Sequence, residues 1–222
     1  MNFDQFYQEQ QRRDKADKVM RYRHLNRFVR KGQIVFAGSS LMEQFPIYEF
    51  LLDGQFPFTI YNRGIGGFTT EEMLRTLNEC IFELEPSHLF LNIGTNDLNG
   101  PDYNQDLLIS NYDQILQAIQ EQLPETKLYL LAYYPVNPNV TDIPYLKEVF
   151  RHRTNVRIAA ASEAVKELAQ KYGAEYLNLN DGLTGADGNL KAEFTVEGMH
   201  MYADGYRIVL RNLLPVLERI CL

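Results

Sequence analysis

Five short apolar runs, at 34–38, 58–62, 88–93, 127–133 and 174–179, recur along the chain, each separated from the next by a polar or helix-patterned segment. No other feature constrains the fold as strongly. The first run, Ile34-Val35-Phe36-Ala37, is apolar throughout rather than at every second residue, which suits a strand buried on both faces. Helical crossovers between such strands argue for a parallel sheet covered by helices on both sides. Right-handed crossovers then bring the carboxyl ends of the first three strands to one edge, and open α/β sheets hold their ligands at such an edge.

The intervening segments read as helices. One spans 3–30 with a break near its charged middle, and a short one follows Ser40 and is interrupted by Pro46. Others are expected over 70–84, 103–122, 145–172 (closed by Gly173) and 203–220. The 222 residues show no internal repeat, low-complexity tract or linker. The expectation is a single domain over 1–222 with an N-terminal helical extension over about 1–32.

Charge matters because it is uneven. The net charge is -7, yet residues 1–32 carry nine Lys or Arg against four Asp or Glu. A basic arm could meet nucleic acid, but Val19, Tyr22, Leu25, Phe28 and Val29 recur near helical spacing among those charges. An amphipathic helix packed on an acidic body is the expected arrangement. No apolar run is long enough to span a membrane. The polar start, Met1-Asn2-Phe3-Asp4, has no apolar core of a secretory signal. Cys80 and Cys221 lie far apart without metal-ligand spacing, so structural thiols and a cytoplasmic location are expected.

The first run ends in Gly38-Ser39-Ser40-Leu41-Met42. Gly38 allows a sharp turn and close approach of a substrate, and the strand end presents a serine to the crevice. That serine is either a nucleophile or part of an N-cap for the next helix. A serine nucleophile needs a base. Of the four histidines, His24 falls in the first helix, His88 at a strand start and His152 on a helix; only His200 sits in a glycine-containing loop. Glu197, three residues earlier, is either the group that orients its ring or a solvated loop acid. Backbone N–H groups of the loop Gly64-Ile65-Gly66-Gly67, with that of Ser40, can serve an oxyanion. No lysine follows those glycines as a phosphate-binding loop requires. Asn96 either adds an amide donor or caps a turn, and Asp97 reads as a capping residue. No His, Cys or Asp cluster has metal-ligand spacing.

Together, Gly38-Ser39-Ser40-Leu41, the glycine loop ending at Gly67, Gly94-Thr95-Asn96-Asp97 and Glu197-Gly198-Met199-His200 resemble the four blocks of the SGNH (GDSL-type) hydrolases, in order and each after the expected strand. The wording around them is most similar to the platelet-activating-factor acetylhydrolase-like branch. The resemblance implies a three-layer α/β/α, flavodoxin-like fold with a five-stranded parallel sheet and a serine esterase without cofactor or metal. It implies Ser40 as nucleophile, His200 as base, Glu197 in the place of the triad acid, and Ser40, Gly67 (backbone) and Asn96 (side chain) as oxyanion donors. Two positions depart from the family: Ser39 stands where Asp is usual, and Glu197 where the acid is usually Asp. The implied substrate is a short acyl ester, acetyl first, cleaved through an acyl-serine. A carbohydrate O-deacetylase, a thioesterase and a catalytically idle binding protein are the alternatives. The implied partners are that small ester, with a homodimer allowed, and neither nucleic acid nor an integral membrane segment.

Overall fold

A computed structural model describes residues 3–54 and 59–220, and within them the apolar runs form one sheet. In chain order the elements are α1 (Phe3–Leu25), β1 (Ile34–Gly38), α2 (Ser40–Glu43), α3 (Ile47–Gly54), β2 (Ile60–Gly64), α4 (Thr70–Arg75), α5 (Leu77–Cys80), β3 (His88–Asn92), α6 (Gln105–Gln122), β4 (Lys127–Leu131), α7 (Pro144–His152), α8 (Asn155–Tyr172), β5 (Glu175–Leu177) and α9 (Ala203–Ile220). The strand order is β2-β1-β3-β4-β5, and every pairing is parallel. In this flavodoxin-like order the chain leaves β1 toward one side and later returns on the other, which opens a crevice at the carboxyl ends of β1 and β3.

β1 is buried along its whole length, and its side chains alternate between two cores. Val35 and Ala37 join the core under α4, α6 and α8, whereas Ile34 and Phe36 join the core under α2, α3 and α9. The period of two in a pleated strand assigns those faces. Gly38 is required by the sheet itself: a Cβ there would stand 2.2 Å from the Asn92 carbonyl oxygen and 3.1 Å from Met42 Cβ. The neighbouring strand, not a substrate, excludes a side chain at this position. Cys80 is buried in the first core, where burial pushes its thiol up to about 12; Cys221 lies outside the described residues. Among the described residues no helix is long and apolar enough to cross a membrane.

Several boundaries differ from the sequence reading, each for a tertiary reason. The second strand runs to Gly64, and the expected start at Phe58 lies outside the described residues. Arg63 can occupy a buried strand position because its Nε donates to Asn26 Oδ1 (2.9 Å) and its guanidinium lies over Tyr22, 4.9 Å from the ring centre. The helix expected over 70–84 breaks at Thr76, whose hydroxyl donates back to the Glu72 carbonyl at 2.8 Å. The helix expected over 145–172 is two helices, because Thr154 caps α8 through Arg157 N (3.2 Å).

α1 is unbroken, and the apolar stripe expected there docks in part, with Tyr22 in the core and Val19 and Val29 packed against it. Tyr22 is buried and its hydroxyl donates to the Gly64 carbonyl (2.6 Å), but Leu25 and Phe28 face solvent. Ion pairs add to that contact: Lys15 with Glu72, Lys18 with Glu43 and Arg23 with Glu79. The basic helix therefore lies on acidic side chains of the body.

Candidate active site

The turn out of β1 places Ser40 at the start of α2. Ser39 occupies the N-cap position but makes no side-chain capping bond, so the serine pair is not used as a cap. Ser39 is wholly buried, its N–H donating to the Asn92 carbonyl (3.2 Å). Two groups from elsewhere hold α2 in place. Tyr206 of α9 donates its hydroxyl to the Leu41 carbonyl (2.9 Å), and Asn62 of β2 donates Nδ2 to the Met42 carbonyl (2.7 Å). As first residue of the helix, Ser40 has a backbone N–H without an intrahelical acceptor.

Across the crevice, the Ser40 hydroxyl lies 2.9 Å from His200 Nε2. His200 Nδ1 lies 2.5 Å from Glu197 Oε1, which also accepts from the His200 backbone N–H at 3.2 Å. The extra methylene of Glu197 therefore does not keep it from the ring. A proton on Nδ1 donated to the carboxylate leaves the Nε2 lone pair facing the serine. The loop bearing both residues is tied by its own hydrogen bonds. Thr195 Oγ1 donates to the His200 carbonyl and accepts from Gly198 N, each at 2.8 Å, and Val196 N donates to the His200 carbonyl at 2.9 Å. The segment after β4 touches this loop through Asn137 N, which donates to the Gly198 carbonyl at 2.7 Å.

On the other side of Ser40 stands the glycine turn. Phe68 N donates to the Ile65 carbonyl (3.2 Å), and Gly67 has φ +74°, a conformation L side chains rarely adopt. A Cβ built at Gly66 would be 3.9 Å from Ser40 Cβ, so the turn borders the serine directly. Asn96 joins from the segment after β3. Its Nδ2 donates one proton to the Phe68 carbonyl (2.9 Å), and its Oδ1 accepts from Asn99 Nδ2 (3.2 Å); the second amide proton remains available. Asp97 caps α4, accepting from Thr70 Oγ1 (2.5 Å) and Thr70 N (3.1 Å). Burial raises its pKa, with the Thr70 bonds opposing that shift.

An open cavity of about 510 Å³ adjoins this arrangement, lined by Lys15, Lys18, Glu43, Gly67, Asn96 and Tyr145 among others. Most of the lining side chains are polar. Ser40, Gly67, Asn96, Glu197 and His200 thus converge at one place. The other histidines do not: His24 is on α1, His88 opens β3 and His152 faces Glu148 (3.6 Å). Among the described residues no group of three or more His, Cys, Asp or Glu is placed to hold a metal ion.

Three nearby residues had no signature in the sequence. Lys15 Nζ donates to the Gly67 carbonyl (2.8 Å), and Glu43 Oε2 accepts from Gly66 N (2.7 Å). Arg153 is fully buried at the break between α7 and α8, with Nη1 at 2.9 Å from Met199 Sδ. Burial pushes its guanidinium down to about 10, and the charge of Glu197 opposes that shift. Thr154, a good helix cap immediately after it, was the one local signal that the chain turns there.

Residues 36–208 match the model of the GDSL-like Lipase/Acylhydrolase family. Platelet-activating factor acetylhydrolase IB subunit alpha1 of Bos taurus is 26% identical over 194 residues, covering 86% of this chain and 77% of that protein. A solved chain from Streptococcus pneumonia, provisionally described as a platelet activating factor, superposes with a TM-score of 0.84 at 31% identity, covering 96% of this chain and 97% of its own. A catalytic mutant of an acetylxylan esterase from Geobacillus stearothermophilus superposes with a TM-score of 0.65 at 16% identity, covering 84% and 94%; at that identity the likeness is one of fold.

Proposed function

The chain belongs to the GDSL-like lipase/acylhydrolase family, and from that premise we propose that it hydrolyses a short acyl ester, acetyl first, through an acyl-serine on Ser40. The observation that carries this reading is the continuous line from Ser40 Oγ to His200 Nε2 (2.9 Å) and from His200 Nδ1 to Glu197 (2.5 Å). His200 takes the serine proton as Oγ attacks the ester carbonyl, and Glu197 stabilises the imidazolium that forms. The tetrahedral oxyanion is met by the N–H groups of Ser40 and Gly67 and the second amide proton of Asn96. Donors placed before the charge develops need no reorganisation in the transition state. His200 then protonates the leaving alcohol, and the same residue activates water to release the acid and restore Ser40.

Turnover of p-nitrophenyl acetate by the purified protein, beside Ser40→Ala and Ser39→Ala, tests the reading. Ser40→Ala is expected to abolish turnover and fluorophosphonate labelling, and Ser39→Ala to keep much of both. A phosphonate adduct mapped to Ser39 overturns the assignment. The polar lining of the adjoining cavity favours a second reading, a carbohydrate O-deacetylase, because sugar hydroxyls need hydrogen-bond partners. A panel of acetylated sugars and acylated lipids separates the two.

A further inference from the structure

The glycine turn that supplies the Gly67 N–H is not self-determined. Gly67 at φ +74°, with Gly66 outside the left-handed region and Phe68 N bonded to the Ile65 carbonyl, has the type II pattern. Type I turns differ from type II by rotation of the central peptide, here the one joining Gly66 to Gly67. That rotation reverses the direction of the Gly67 N–H. Two consecutive glycines admit both forms at little steric cost, so the choice must come from outside the turn.

Two charged side chains grip the peptide groups on either side of that central one. Before it, Gly66 N donates to Glu43 Oε2 (2.7 Å), and Glu43 is paired through Oε1 with Lys18 Nζ (2.6 Å). After it, the Gly67 carbonyl accepts from Lys15 Nζ (2.8 Å). Lys15 Nζ also donates to both oxygens of Glu72 (2.8 and 2.9 Å), and Glu72 Oε2 accepts from Thr69 N (2.9 Å). The three protons of the ammonium are thereby directed at Gly67 and the first turn of α4. Lys15 and Lys18 are neighbours on one face of α1, and α1 lies before the residues that match the family model, 36–208.

We propose that Lys15 is a positioning residue for the oxyanion site, holding the glycine turn in the form that presents the Gly67 N–H to the charge developing at Ser40, with Lys18 and Glu43 holding its other side. This rests on the serine-esterase reading. A charge-assisted hydrogen bond to a carbonyl fixes a peptide plane more firmly than a neutral one, and the Lys15–Glu72 pair keeps the ammonium at the turn. The N-terminal helix is on this account part of the reaction machinery, although it carries none of the reacting atoms.

The test is steady-state hydrolysis of p-nitrophenyl acetate by the full chain carrying Lys15→Met, Lys15→Arg or Ser40→Ala, with the melting temperature of each. Lys15→Met keeps the side-chain stem but not the donor. Its kcat is expected to fall about 10- to 100-fold, the scale of a small misplacement in an active site. KM should stay within about twofold, since the turn acts on the transition state. Lys15→Arg, which restores a charged donor, is expected to recover most of the loss. An unchanged kcat for Lys15→Met, or a rise in KM alone, overturns the clamp while an inactive Ser40→Ala leaves the esterase reading standing. A loss of kcat that follows the melting temperature and is not recovered by Lys15→Arg also overturns it, as a purely structural role would give that result. Full turnover by Ser40→Ala overturns the serine reading and the clamp with it.

Discussion

Ser40 and His200 meet at 2.9 Å, but different kinds of structure hold them there. Ser40 stands two residues past a strand hydrogen-bonded on both sides and buried throughout, and its helix is fixed by Tyr206 and Asn62. His200 and Glu197 lie outside the sheet, in a loop joined by Thr195, Gly198 and Asn137 and underlaid by buried Arg153. The serine therefore inherits its position from the whole core. The histidine is anchored only by its neighbours Met199 and Met201, buried one in each core, and by a few hydrogen bonds, each worth about 1 kcal/mol net. The position of Ser40 itself should be lost only with the fold, whereas geometry at the histidine loop can be detuned while the fold survives.

The largest expected effect belongs to the base. His200→Ala should lower turnover by up to about a million-fold, the scale of removing base or nucleophile in a serine protease, with little change in melting temperature. A modest loss would show that Ser40 is activated otherwise. Glu197→Gln comes next. An amide that holds the ring in the wrong tautomer cost about 10,000-fold in a serine protease, and the fall here is expected to approach that figure, with Glu197→Asp retaining part of the activity. Near-wild-type turnover of the Gln variant at unchanged stability would remove Glu197 from the mechanism and leave a Ser–His dyad.

On the serine side, Asn96→Ala should reduce kcat on the order of 100- to 1000-fold with little change in KM, as for loss of one oxyanion donor. A rise in KM alone would make Asn96 a ground-state contact. The smallest effect sharpens the comparison most directly. Thr195→Val removes the hydroxyl that both donates to the His200 carbonyl and accepts from Gly198 N. It should cost about 1–3 kcal/mol of stability by denaturant melts and slow turnover without abolishing it. Undiminished turnover in this variant would mean that the loop keeps its geometry without those bonds, and that the two halves are equally rigid.

Read in order, the residues themselves determined the architecture and pointed to the candidate chemical groups. Apolar runs between helix-patterned segments suit parallel strands, so β1, β3 and β4 begin where the pattern begins, and α9 occupies the expected 203–220. Serine after the first strand, asparagine after the third and Glu-x-x-His before the last helix were legible as groups suited to acyl transfer. Tertiary structure alone decided what depends on distant partners. Arg63 lies in a strand because Asn26 and Tyr22 reach it across the fold. Leu25 and Phe28 face solvent while Val19, Tyr22 and three ion pairs hold α1 to the body. Lys15, Glu43 and Arg153 look like ordinary charged helix residues until folding brings them to the glycine turn and the histidine loop. The physical reason is range: backbone periodicity and steric preference act over a few residues and leave their pattern in the chain. A hydrogen bond or ion pair between segments leaves none, since any donor of suitable length can make it once the core has set the distance.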